Sequence, residues 1–150
     1  DGGDGRPGRC GGKGKTYVYR VWNGPVADGF TAATHAHVGQ PLDAEVMHRA
    51  GRPLAGSHDF AAFTVIAPEV SSTTRTIAML RVEREGESIR IYVRADGFLR
   101  YMVRRIAGSL IEAGRGKLSA DEVARSLEPE FLPARWTAPA KGLTLLDVHY

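Results

Sequence analysis

The chain has 150 residues, 43% of them hydrophobic and 25% charged, with a formal net charge of +3, a profile that fits one globular domain with a core of its own. No apolar run reaches the roughly 18 residues of a membrane span, no leader has the form of a signal peptide, and the single Cys10 excludes an internal disulfide and a thiolate metal cluster. A cytoplasmic, reducing setting with no membrane partner is therefore expected, and the mild basicity permits a nucleic-acid partner without demanding one.

Residues 1–14 hold seven glycines and Pro7 and read as a flexible Gly-rich leader or linker, with the folded domain at 15–150. The chain opens on Asp1 rather than Met, as a processed or cut chain would. Lys15 to Trp22 is rich in aromatic and β-branched residues and predicts a strand, with Tyr17, Tyr19 and Val21 facing one way and Val18, Arg20 and Trp22 the other. Asn23-Gly24-Pro25 ends it, and residues 26–41 read as an irregular crossing. His35 and His37 share a side if that piece is extended, but no cysteine or carboxylate lies close enough in sequence to complete a zinc site.

Asp43 is placed as the N-cap of a helix to about Pro53, with Leu42 and Met47 as a hydrophobic staple. In Ser57-His58-Asp59 the three residue types of a hydrolase triad stand together. Triad members meet through the fold rather than as neighbours, however, so His58 and Asp59 are expected to hold a turn that Phe60 and Phe63 pin to the core. Ser71 to Thr76 reads as a hydroxyl-rich loop. Ile77 to Glu83 and Ser88 to Ala95 predict a hairpin around Glu85-Gly86-Glu87, its second strand alternating between inward Ile89, Ile91, Val93, Ala95 and outward Arg90, Tyr92, Arg94.

Gly97 to Gly114 carries the strongest helical period: Leu99, Met102, Val103, Ile106, Leu110 and Ala113 share one side, and Gly114 is the expected C′ residue. Between Arg100 and Lys117, Arg100, Arg104, Arg105, Arg115 and Lys117 stand against one acid, Glu112. Ser119 to Glu122 is a capping box for a last helix to about Leu127. Pro129, Pro133 and Pro139 keep the next stretch extended, and Gly142 to Tyr150, apolar on both faces, predicts an inner strand. The sum is an α+β fold, an antiparallel β-sheet with helices packed on one face, and that outline alone settles no function.

Five short motifs occur in a fixed order: Lys15-x-Tyr17-x-Tyr19, Gly56-Ser57-His58-Asp59-Phe60-x-x-Phe63, Arg75-Thr76-Ile77, Gly97-Phe98-Leu99-Arg100-x-Met102-Val103-Arg104 and Pro139-x-x-Gly142-Leu143. In these the chain resembles the C-terminal half of the TruA family of tRNA pseudouridine synthases, over about residues 15–150. The resemblance implies the C-terminal subdomain of the pseudouridine synthase fold. It also implies an isomerase that converts uridine to pseudouridine in the anticodon arm of tRNA, with no metal or other cofactor, as a homodimer around a basic cleft. The target base must leave the helical stack to be reached. By position, Tyr17 matches the aromatic that stacks on the target uracil, Arg104 the arginine that pairs with the catalytic aspartate, and Leu143 an apolar residue lining the pocket. A tyrosine face stacks on any base, and an arginine holds a carboxylate ionised through bidentate hydrogen bonds. Arg75, Arg100 and Arg105 are then expected beside phosphates as substrate-binding residues.

One departure is large. In the family the nucleophile stands in an Arg-Thr-Asp-x-Gly-Val-His type motif of the N-terminal half, which this sequence does not contain. Arg94-Ala95-Asp96-Gly97 imitates it, but Asp96 directly precedes the Phe-Leu-Arg motif of the other half and reads as a turn or N-cap residue. Activity is therefore expected only when the missing N-terminal catalytic half is supplied as a partner. The alternative is a catalytically silent RNA-binding and dimerisation module.

Overall fold

A computed structural model describes residues 14–64, 71–128 and 136–149. The leader expected at 1–14 lies outside the described residues except for Gly14, and so do Cys10, Pro129 and Pro133. The elements in order are β1 (Gly14–Trp22), α1 (Gly29–Thr34), β2 (Ala36–His37), α2 (Ala44–Gly51), β3 (Gly56–Asp59), β4 (Thr74–Glu85), β5 (Ser88–Ala95), α3 (Met102–Gly114), α4 (Ala120–Arg125) and β6 (Leu143–His149). Short 3-10 turns at Arg52–Leu54, Ala61–Phe63 and Ala140–Gly142 join them.

The sheet runs β1-β5-β4-β3 with antiparallel neighbours, and β6 lies antiparallel on the free side of β1 along Gly14–Tyr19. β2 occupies the rest of that side, parallel to β1 at Val21 and Trp22. One face is apolar throughout. Tyr19, Val21, Ile77, Leu80, Val82, Ile89, Ile91, Val93 and Ala95 are all buried on it, as period-two alternation requires. Helix α2 packs on α3, α4 and β4, and α3 also reaches β1. The α+β expectation therefore holds, down to the side of the sheet that the helices cover. No described helix is long and apolar enough to cross a membrane.

Several local expectations stand. Asp43 caps α2, accepting from Glu45 N and Val46 N at 3.0 and 3.1 Å. Ser119 and Glu122 form both bonds of the capping box. His58 is within 2.8 Å of Ala55 O, and Asp59 accepts from Ala61 N and Thr73 Oγ1, so both hold a turn while Phe60 and Phe63 are buried beneath it.

Others are corrected. Residues 26–41 are ordered as α1, capped by Asp28, and β2; neither has the length to give a periodic signal. The hydroxyl-rich loop is shorter than expected, because Thr74, Arg75 and Thr76 pair with Asp59, His58 and Ser57 as the start of β4. Helix α3 begins at Met102, not at Gly97, since Asp96 is tied to β4 through Thr76: Thr76 N donates to Asp96 Oδ1 and Asp96 N to Thr76 O. The chain needs the next five residues to leave the sheet. The left-handed residue after this helix is Gly116 (φ 82°), not Gly114, which ends the helix against Met47. Among the described residues β6 pairs with β1 alone, an edge strand rather than an inner one, with Leu145, Leu146 and Val148 each more than 40% exposed.

Candidate functional site

At the end of β1 nearest the start of α3 lies a cavity of 280 Å³. Its floor comes from β1 and β6, through Lys15, Tyr17 and Leu143, and its wall from the 98–104 segment, including Phe98, Arg100, Tyr101 and Arg104. The sheet places Tyr17 between Val93 of β5 and Leu145 of β6. Phe98 and Tyr17 form a T-shaped pair, centroids 5.0 Å apart and planes at 89°, so the Tyr17 ring is fixed by an aromatic neighbour.

Arg104 is held from its stem. Its Nε donates to Ala138 O at 2.8 Å, while Ala138 N donates back to Arg104 O at 3.1 Å. The segment carrying Ala138 comes this close to the helix because position 108 is glycine: a Cβ there would stand 1.7 Å from Trp136 O. A second glycine sets the next turn. A Cβ at Gly142 would stand 2.7 Å from the Tyr19 ring and 2.8 Å from Arg20 O, so only glycine brings the chain round to place Leu143 opposite Tyr19. Tyr19 donates its hydroxyl to Pro139 O. Burial pushes its phenol pKa upward, with the nearby Arg104 charge opposing, so Tyr19 stays a neutral donor at physiological pH. The Pro139-x-x-Gly142-Leu143 spacing thus has a packing cause.

Among the described residues no carboxylate forms an ion pair with Arg104 or Arg100, and the cavity lining contains neither Asp nor Glu. Lys15, Arg100 and Arg104 give the cavity a positive field that no described carboxylate in its lining neutralises, and an entering anion would lower its energy. Helix α3 adds to it. Tyr101 occupies the N-cap without a side-chain capping bond, leaving the positive end of the helix dipole beside the cavity.

The sequence-derived site residues divide. Tyr17, Leu143, Arg100 and Arg104 come together in this cavity. Arg105, one residue on, points along another direction of the helix and donates to Thr137 Oγ1 and Thr64 O. Arg75 donates to Ser72 O and Thr74 O and lies beside Gly97. Asp96 is engaged with Thr76 and is not in the lining. His35 and His37 bond separately, His35 with Thr34 Oγ1 and His37 with Gly24 O, and no group of metal ligands occurs among the described residues. Phe98, Tyr101 and Lys15 were not singled out as site residues. For the first two the signal was their place inside the motif that carries Arg104.

Comparison with known proteins adds an independent line. A family model described as tRNA pseudouridine synthase matches residues 50–150. The chain is 42% identical over 137 residues to tRNA pseudouridine synthase A of Pelobacter propionicus, covering 91% of this chain and 56% of the relative. It is 39% identical over 139 residues to the enzyme of that name from Acetivibrio thermocellus, covering 92% and 57%. With the one from Halalkalibacterium halodurans it shares 44% identity over 132 residues, covering 87% and 50%. The chain therefore spans about half the length of the curated relatives it matches.

Proposed function

The chain belongs to the tRNA pseudouridine synthase family, and from that premise we propose that it is the base-holding half of an isomerase that turns uridine into pseudouridine in the anticodon arm of tRNA. The observation that carries this reading is the single cavity in which Tyr17, Arg104 and Leu143 meet. A flipped uracil stacks on the Tyr17 ring, against the apolar side of Leu143. Arg104, fixed at Nε, offers its terminal nitrogens to a catalytic carboxylate that this cavity does not itself contain. That carboxylate, an aspartate from the part of the relatives this chain does not cover, attacks the nucleoside. The bond from the sugar C1′ to N1 breaks, the uracil turns over, C1′ bonds to C5, the bond formed by the aspartate breaks and returns its carboxylate, the C5 hydrogen leaves as a proton and N1 takes one up. Atoms and charge balance with no redox step and no cofactor. Lys15, Arg100 and, further out, Arg75 and Arg105 neutralise phosphates. The whole enzyme acts as a cytoplasmic homodimer.

The test is tritium release from tRNA labelled at uridine C5, measured for this chain alone and with a segment that supplies the aspartate. Release is expected only from the combination, and release from the chain alone would remove the claim that the nucleophile comes from elsewhere. Binding of tRNA should weaken steeply as salt rises. A second reading rests on the acid-free lining: a silent RNA-binding and dimerisation module, which predicts salt-sensitive binding and no release in any combination.

A further inference from the structure

Tyr101 is the only described residue other than glycine with a positive φ, 66°, and it stands at the cavity wall as the residue just before α3. A bulky residue is rarely tolerated there. Such an outlier persists only where its surroundings over-determine it, and it is a pointer to function when it lies at a site. What the conformation achieves is visible in the ring. Both cavity arginines lie over it, Arg100 with its guanidinium carbon 5.1 Å and Arg104 with its own 5.4 Å from the ring centroid. Arg104 is thereby held at two points, by Ala138 O at Nε and by the Tyr101 face, while both terminal nitrogens stay uncommitted to any described partner.

We propose that Tyr101 is a positioning residue: its ring fixes the Arg104 guanidinium in the orientation that receives the catalytic carboxylate, and it keeps Arg100 beside it despite their like charge. The proposal rests on the reading of Arg104 given above. It requires the ring and not the hydroxyl, for which no hydrogen bond is found among the described residues, and it needs a backbone that accepts the left-handed region.

These requirements set the variants. Tyr101→Asn removes the ring but suits the backbone, because asparagine visits the left-handed region readily; Tyr101→Phe restores the ring. Two measurements are made. The first, on this chain as it stands, is the exchange rate of the Arg104 Nε proton with water, read by NMR. Loss of a cation–π contact of this kind should speed exchange by roughly three- to tenfold in Tyr101→Asn, with the protection returned in Tyr101→Phe. The second, on the chain combined with the aspartate-bearing segment, is the rate of pseudouridine formation. Tyr101→Asn should lower kcat by a similar roughly three- to tenfold factor at a nearly unchanged KM for tRNA, with the melting temperature equal to or above that of the unchanged chain, and Tyr101→Phe should recover the rate. A merely structural tyrosine would instead lower the melting temperature and leave kcat per folded molecule alone. Unchanged exchange in Tyr101→Asn, unchanged kcat in that variant, or no recovery with phenylalanine would each overturn the proposal. Arg104→Ala run beside them separates the two claims: full activity in that variant would end the catalytic reading of Arg104, while the exchange data would still decide whether Tyr101 holds it.

Discussion

At the C-terminal end of α3, Arg115 donates through Nη1 to both oxygens of Glu112 at 3.0 and 3.1 Å, and the two side chains are only 25% and 15% exposed. At the other end, Arg104 and Arg100 stand at a cavity with no acid in its lining, and the residue before the helix leaves it uncapped. The same residue type thus serves two ends of one helix differently. A charge paired three residues away is neutralised by the chain itself, although the buried Arg115 Nε has no hydrogen-bond partner among the described residues. Arg104 is held at Nε by Ala138 O, and no described carboxylate pairs with it, so on the proposed reading its Coulomb energy is kept for an anion from outside. The apolar stripe between the two ends sets their distance and orientation, because Met102, Ile106, Leu110 and Ile111 are fully buried against the sheet and α2.

That contrast can be broken in several ways, and the largest effect is expected at the open end. Arg104→Lys keeps the charge but loses both the Nε bond to Ala138 O and the fork. With the aspartate supplied it should lower kcat by about 10²- to 10³-fold, the scale of losing one preorganised donor at developing charge, while the chain melts within a few degrees of its normal temperature. A drop in melting temperature large enough to account for the rate would make Arg104 structural.

Next comes the stripe. Ile106→Ala empties a fully buried site and should destabilise the chain by about 2–5 kcal/mol in denaturant unfolding; a cost below 1 kcal/mol would mean that α3 is not packed as described. At the closed end, Glu112→Gln leaves Arg115 without its carboxylate and should cost about 1–2 kcal/mol of stability, with tRNA affinity unchanged. A marked gain in tRNA affinity would show that phosphates reach this end too.

The smallest effect concerns the far side of the sheet. Desolvation, then the Arg20 and Arg90 charges, hold the His35 imidazole below its ordinary value of 6.5. Because the folded pKa is the lower one, folding favours the neutral ring. That contribution is present above pH 6.5 and is lost as pH falls through the folded value. Melting temperature should therefore drop between pH 7.5 and pH 5.5 by slightly more for the natural chain than for His35→Gln, and equal drops would remove His35 from the account.

Much of this was readable from residue order. The buried face of β5 followed from strict alternation, the Asp43 cap and the Ser119 box from side chains that satisfy free helix N–H groups locally, and the stripe of α3 from its period. Leu99 shows the limit. It fits the helical period and is 6% exposed, yet it precedes the helix, because burial records where a side chain ends up and not the backbone path that took it there. Arg104 and Arg105 are adjacent and chemically identical in the sequence. The helix points them in different directions, and the return of residues 136–143, allowed by the two glycines, gives one a backbone carbonyl and the other Thr137, with Thr64 beside it.

The sequence by itself therefore determined the elements whose stabilisation is local: alternation across a strand, capping within a turn, periodicity along a helix, and the motif order that marks the family. The tertiary structure decided what depends on partners far away in the chain. It made β6 an edge, moved the start of α3 to Met102, and turned Tyr101 left-handed beneath two arginines. No residue within a few positions specifies those outcomes; each is the cheapest way to close a sheet, a helix and a returning loop around one cavity.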